Sequence, residues 1–220
     1  MPEIPTLDGP RRAPASGGAP DSLVILLHGI GADGRDLIGL APDLADVLPG
    51  TAFVSPDAPF RCDFAPFGYQ WVSRLTTDPG KRLEELRAAA AILDAFIDAE
   101  LARAGLAEDR LVLLGFSQGT MMSLHVGPRR ARPVAGILGY SGRLDNPELL
   151  AGEIRSRPPV VLVHGEEDPV LPPDRTRAAA EVLAANGVAV ETHFRPALGH
   201  GIDPEGIAVG RRFLVRALGG

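Results

Sequence analysis

Short apolar runs recur along the 220-residue chain at 23–27, 52–54, 111–114, 134–138 and 160–163, with a more alternating sixth at 188–194. Runs of this length bounded by Gly, Pro or Asp suit strands buried on both faces. Helical patterns lie between them. Leu83, Leu86, Ala90, Leu93, Ile97 and Leu101 recur every three or four residues, which predicts a helix over 81–104 stopped by Gly105. A second helix is predicted over 173–186, ahead of Gly187, and a less regular third over 205–218. The segment 36–48 has helical spacing but contains Pro42, which should kink it or begin a new turn. Strands alternating with helices predict an α/β fold, a mostly parallel central sheet with helices on both faces. No repeat or linker divides the chain, so 1–220 reads as a single domain.

The long irregular stretch is 61–81, which contains Pro66, Gly68, Tyr69, Trp71, Pro79 and Gly80. Loops this long in compact domains are often functional, the plainer reading being a surface excursion. Phe64, Phe67, Tyr69 and Trp71 within it are expected to line a shallow apolar cleft. Composition excludes more than it assigns. A net charge of −6 without a basic run gives no support for nucleic-acid binding. The lone Cys62 rules out an intrachain disulfide and a cysteine metal site, and no His-Glu-x-x-His pattern occurs, so no metal is expected. The first twenty residues carry prolines at 2, 5, 10, 14 and 20 and lack the apolar core of a secretory signal. No run approaches the roughly 20 residues of a membrane span. The expectation is a cytoplasmic protein without stable membrane insertion; a homodimer is left open.

The chemistry begins at 111–119, where a buried strand leads into Gly115-Phe116-Ser117-Gln118-Gly119. Gly-x-Ser-x-Gly between strand and helix is the nucleophile elbow. Its turn is too tight for side chains two residues either side of the Ser, whose hydroxyl it lifts above the sheet edge. Ser117 is the candidate nucleophile. The strand at 23–27 ends in His28-Gly29-Ile30-Gly31, where flanking glycines let a backbone N–H turn inward. The amides of Ile30 and Gln118 are the candidate oxyanion donors, each worth roughly 3–4 kcal/mol in a dry site. His28 reads as structural, holding that loop by a local hydrogen bond.

A strand at 160–163 ends in Glu166, Glu167 and Asp168, and His200 lies in a Gly-flanked loop after the sixth strand. The order Ser, Asp, His is the one this elbow uses. Imidazole titrates near neutrality, so His200 can take the Ser proton and return it. His125, His164 and His193 fit less well as the base. Asp168 is favoured as the acid because Pro169 restricts its backbone and its side chain is short; Glu166 and Glu167 stay open at this level.

Together the segments Leu27-His28-Gly29-Ile30-Gly31-Ala32-Asp33, Gly115-Phe116-Ser117-Gln118-Gly119, His164-Gly165-Glu166-Glu167-Asp168-Pro169-Val170 and Gly199-His200 resemble the phospholipase/carboxylesterase family, relatives of the acyl-protein thioesterases. The resemblance implies an α/β-hydrolase fold, catalysis by Ser117, Asp168 and His200, oxyanion amides at Ile30 and Gln118, and Trp71 on the substrate side. It implies small ester or thioester substrates of modest acyl length and no cofactor. One departure is Thr120, where many relatives carry Gly; less close packing of helix on strand is expected there. Three readings follow: a carboxylesterase for short to medium acyl chains, an acyl-protein thioesterase or lysophospholipase, and a non-catalytic binding protein on the same scaffold. The last would be expected to lack a triad member, and all three are present.

Overall fold

The apolar runs become strands because each must cover two helical layers at once. The computed structural model describes residues 6–219; residues 1–5 and 220, including Pro2 and Pro5, lie outside the described residues. In chain order the elements are β1 (Arg11–Arg12), β2 (Ser22–Leu27), α1 (Gly34–Ile38), α2 (Ala41–Ala45), β3 (Thr51–Val54), β4 (Phe60–Arg61), β5 (Tyr69–Gln70), α3 (Pro79–Ala104), β6 (Leu111–Phe116), α4 (Gln118–Val126), β7 (Gly136–Tyr140), α5 (Leu150–Glu153), β8 (Val160–Gly165), α6 (Asp174–Ala185), β9 (Val190–Arg195) and α7 (Pro204–Leu218). Alternate residues of one strand point to opposite faces. Leu23, Ile25, Leu27, Leu111, Leu113, Ile137, Val160 and Leu162 join α3, α4 and α6 in one core. Val24, Leu26, Val112, Leu114, Leu138, Val161 and Val163 join α1, α2 and α7 in the other.

Among the described residues, seven strands form the main sheet in the order β1-β3-β2-β6-β7-β8-β9. Only the edge strand β1 is antiparallel to its neighbour; the other pairings are parallel. After β2 the chain goes to β3 on one side, then returns to β6 on the other, so the order reverses at β2. In open α/β sheets the crevice at such a reversal, beyond the carboxyl ends of the strands, is where ligands bind. The β2–β6 register sets Leu27 opposite Gly115. The segments that follow, His28–Gly31 and Ser117, therefore leave the sheet side by side.

Three expectations are refined. The segment 36–48 breaks into α1 and α2, with Pro42 in the first turn of the second helix. The strand expected over 134–138 begins at Gly136 and runs to Tyr140. The loop 61–81 contains a small hairpin of β4 and β5, and α3 starts at Pro79 because Asp78 caps it by accepting from Lys81 N–H. Gly105 stops that helix as expected, in the left-handed region at φ 68°. The two-residue β1 carried no pattern of its own; Arg11 holds it by pairing with the buried Glu100 at 3.0 Å.

Every residue of α4 is buried, His125 included, and no described residue partners its Nδ1. Burial, reinforced by the Arg129 guanidinium, pushes its pKa from the usual 6.5 down to about 4. The unfolded chain then binds a proton that the folded chain refuses, so stability is lost as pH falls through that window. The loss is on the order of 3 kcal/mol at full extent. His125→Leu should remove it, and its Tm should decline less steeply than the parent's on acidification from 6.5 to 4. Parallel Tm curves would assign the acid sensitivity elsewhere.

Candidate active site

Ser117 sits between β6 and α4 with φ 53° and ψ −114°, a conformation that costs a non-glycine residue about 1–3 kcal/mol. The flanking glycines are required by space. A Cβ on Gly115 would lie 2.4 Å from Gly119 C, and one on Gly119 would lie 1.8 Å from Leu27 O. The turn is held by Ser117 N–H donating to Tyr140 O at 2.8 Å. Thr120 reinforces it, its hydroxyl lying 2.7 Å from Gly115 O and 2.8 Å from Tyr140 O. Its bulk is absorbed by Gly139 and Gly142, where a Cβ would come within 2.5 Å and 2.3 Å of Thr120. The departure noted in the sequence is thus a cross-brace rather than a loosening.

Two loops complete the line from the hydroxyl. His200 Nε2 lies 3.0 Å from Ser117 Oγ. His200 Nδ1 lies 2.6 Å from Asp168 Oδ2. Asp168 Oδ1 accepts the N–H groups of Val170 at 2.8 Å and Leu171 at 2.9 Å. Burial alone would raise the Asp168 pKa, but Leu171 N–H, His200 and Val170 N–H together hold it below the usual carboxylate value. The acid and base loops are stitched by Glu166 N–H to Arg195 O and Glu167 N–H to Leu198 O. Gly165 lets them touch: a Cβ there would be 2.2 Å from Leu198 O. Glu166 and Glu167 are exposed, and Glu166 lies 3.8 Å from Arg177. The Phe116 ring packs against the His200 ring with centroids 5.0 Å apart.

The amides of Ile30 and Gln118 donate to no described residue. Around them the chain is tightly tied. His28 is buried, its Nδ1 donating to Gly29 O at 2.7 Å and its Nε2 accepting from Ala58 N–H at 3.0 Å, the local anchorage expected of it. Burial lowers its pKa, which favours that neutral form. The hairpin docks on the same loop through Gly31 N–H to Tyr69 O and Tyr69 N–H to Ala32 O, both 2.8 Å.

Trp71 requires a correction. Its indole is 0% exposed, so it cannot contact substrate as the sequence suggested. The chain turns inward after β5, and Nε1–H donates to His28 O at 3.0 Å beneath the loop. The Gln118 side chain grips the same point, accepting from Trp71 N–H at 2.8 Å and donating to Val72 O at 2.6 Å. On the same loop Phe64, 47% exposed, has its ring facing Gly31, and Phe67 is 69% exposed. Phe116, Thr120 and the Gln118 side chain escaped sequence reading as supports. A hydroxyl and an amide in an otherwise apolar helix start were the signal, since buried polar groups need partners.

A Ser on a strained strand-to-helix turn, met from later loops by His and Asp in this chain order, places the protein among the α/β-hydrolases. Comparison with known proteins narrows this. The phospholipase/carboxylesterase family model matches residues 14–217, and the chain belongs to that family of hydrolases. The crystal structure of an esterase named PE8 is 40% identical, with a TM-score of 0.92, covering 97% of this chain and 100% of that one. Acyl-protein thioesterase 1 of Schizosaccharomyces pombe is 32% identical over 74% of this chain and 75% of that protein. Acyl-protein thioesterase 1 of Gibberella zeae is 36% identical over 52% of this chain, and the match spans 51% of that relative. Among the described residues no helix is long and apolar enough to cross a membrane.

Proposed function

We propose that the protein is a carboxylesterase that cleaves short to medium acyl esters through an acyl-Ser117 intermediate. The observation that carries the reading is the continuous hydrogen-bonded line from Ser117 Oγ through His200 to Asp168, at 3.0 and 2.6 Å. Ionised Asp168 takes the Nδ1–H of His200, which leaves Nε2 with a lone pair aimed at the Ser117 proton. As Oγ attacks the ester carbonyl, His200 accepts that proton, and Asp168 stabilises the imidazolium without being protonated. Negative charge develops on the carbonyl oxygen, where Ile30 and Gln118 N–H supply donors not engaged elsewhere. His200 then protonates the departing alkoxide. Water repeats the sequence on the acyl-enzyme and releases the acid.

Phe64 and Phe67 offer an open apolar border for the acyl chain rather than a deep channel. The hairpin that carries them is pinned by backbone bonds and by Trp71 and Gln118, which disfavours a lid that opens at an interface. Likeness to the esterase PE8 over the whole chain supports ester substrates. The names of the two thioesterase relatives support a second reading, in which the same acyl transfer serves a thiol leaving group. The test is a p-nitrophenyl ester panel from acetate to palmitate beside the matching acyl thioesters. kcat/KM should be highest for short and medium esters, and emulsified triacylglycerol should not outrun dissolved butyrate ester. Thioester turnover about tenfold faster would select the second reading; faster emulsion turnover would reject the fixed hairpin.

A further inference from the structure

Asp168 does not meet His200 alone. A second imidazole, His164 of β8, is fully buried beneath it. Its Nε2 lies 3.0 Å from Asp168 Oδ2, the oxygen that also faces His200 Nδ1. The same nitrogen lies 2.9 Å from Leu171 O. A carboxylate and a carbonyl can only accept, so Nε2 must carry a proton; otherwise lone pairs would confront one another in a dry site. On the far side, the Thr176 hydroxyl of α6 lies between His164 Nδ1 at 2.6 Å and Gly142 O at 2.5 Å. The ring is therefore fixed at both edges.

We propose that His164 is a positioning residue of the hydrolytic site, clamping Asp168 so that one chosen oxygen meets His200. This rests on the triad reading above. Asp168 Oδ1 is held by two backbone N–H groups; Oδ2 takes the N–H of His200 and lies 3.0 Å from His164 Nε2, whose N–H is directed at Leu171 O, so His164 also fixes the residue whose own N–H holds Oδ1. Without His164, Oδ2 would face only the group it is meant to orient, and Leu171 O would lose its imidazole donor. Burial lowers the His164 pKa, while Leu171 O and Asp168 act in the opposite direction. His164 fits poorly as the base; its place in the site is behind the acid.

The test compares His164→Leu, which removes the donor at similar bulk, with His164→Gln, whose amide N–H can reach the Nε2 position. With p-nitrophenyl butyrate, His164→Leu should lose about 10- to 100-fold in kcat with KM little changed, the range set by one hydrogen bond to a charged group. His164→Gln should recover most of that loss. The downfield proton resonance of His200 Nδ1–H should shift in the Leu variant and return in the Gln variant. Full kcat or an unmoved resonance in folded His164→Leu would overturn the proposal. Equal losses in both variants would also overturn it, marking packing alone. Should His164→Leu not fold, Thr176→Val takes its place, with a smaller fall in kcat and the same direction of shift; wild-type behaviour there overturns the proposal. Fluorophosphonate capture of the unmodified protein separates the two levels. Label on Ser117 beside a fully active His164→Leu rejects the clamp alone, whereas no label on Ser117 rejects the triad and the clamp together.

Discussion

Ser117→Ala is expected to lower kcat for ester hydrolysis about 10⁶-fold while leaving the fold intact. The size follows from the role proposed for the hydroxyl: it forms the covalent acyl bond, and no neighbouring side chain replaces it. The two other serines in this part of the chain are engaged elsewhere. Ser123 donates to Gly119 O at 3.0 Å within α4, and Ser141 Oγ lies 3.5 Å from Gly201 O. Stability should change little, because the strain at φ 53° belongs to the turn, which Ala would share. The glycines, Thr120 and the Ser117 N–H bond to Tyr140 O that enforce the turn are untouched. A rate of about 10³–10⁴ over water should survive, since Ile30 and Gln118 can still polarise a bound carbonyl. Adding His200→Ala to Ser117→Ala should cost nothing further, because a base without its nucleophile has no step to serve. A fluorophosphonate probe should label the parent at Ser117 and fail on the variant. Persistent labelling, or kcat near that of the parent, would remove Ser117 from the reaction.

Much of this site was written in local pattern. The elbow is a five-residue steric problem, so Gly115, Ser117 and Gly119 declare it in one glance along the chain. The strands were readable because the parallel sheet is covered on both sides, leaving no polar face to blur runs such as 23–27. Where the reading fell short, the deciding partner was distant. Whether Trp71 faces substrate or core depends on His28 O and Gln118, which no spacing within 61–81 can reveal. Thr120 looked like a loss of close packing because Gly139 and Gly142, which receive it, come from another strand and its following loop. The two-residue strands β1, β4 and β5 had too few residues for any period. Among three adjacent carboxylates, Asp168 was preferred on backbone restriction and side-chain length. Folding separates them more sharply, since Asp168 faces inward to His200 while Glu166 and Glu167 are exposed.

That separation makes Asp168→Asn the sharpest test of the acid. The substitution is nearly isosteric, and its effect is set by hydrogen-bond polarity. Val170 and Leu171 N–H both donate to the Oδ1 position and cannot turn away, whereas at Oδ2 the His164 N–H is directed at Leu171 O and His200 can change tautomer, so the amide oxygen of Asn takes the Oδ1 place. Its NH₂ group is then forced into the Oδ2 position, 2.6 Å from His200 Nδ1. A donor there can be met only by an Nδ1 lone pair, which moves the His200 proton to Nε2 and aims it at Ser117 Oγ. In that tautomer the imidazole cannot accept the Ser proton, and no carboxylate charge remains to stabilise the imidazolium. The expected fall in kcat is about 10⁴-fold, the scale of the same change in a serine-protease triad. Glu166→Gln and Glu167→Gln remove exposed charges; Glu166 lies 3.8 Å from an Arg177 that is itself half-exposed. Such a pair is worth at most about 1 kcal/mol, so either Gln variant should stay within about tenfold of the parent. All three variants are to be measured at one pH with Tm recorded, so that a folding defect is not read as a chemical one. Asp168→Asn with near-normal kcat, beside a large loss in Glu166→Gln or Glu167→Gln, would transfer the acid to that glutamate and break the line from Ser117 through His200 on which the proposed mechanism depends.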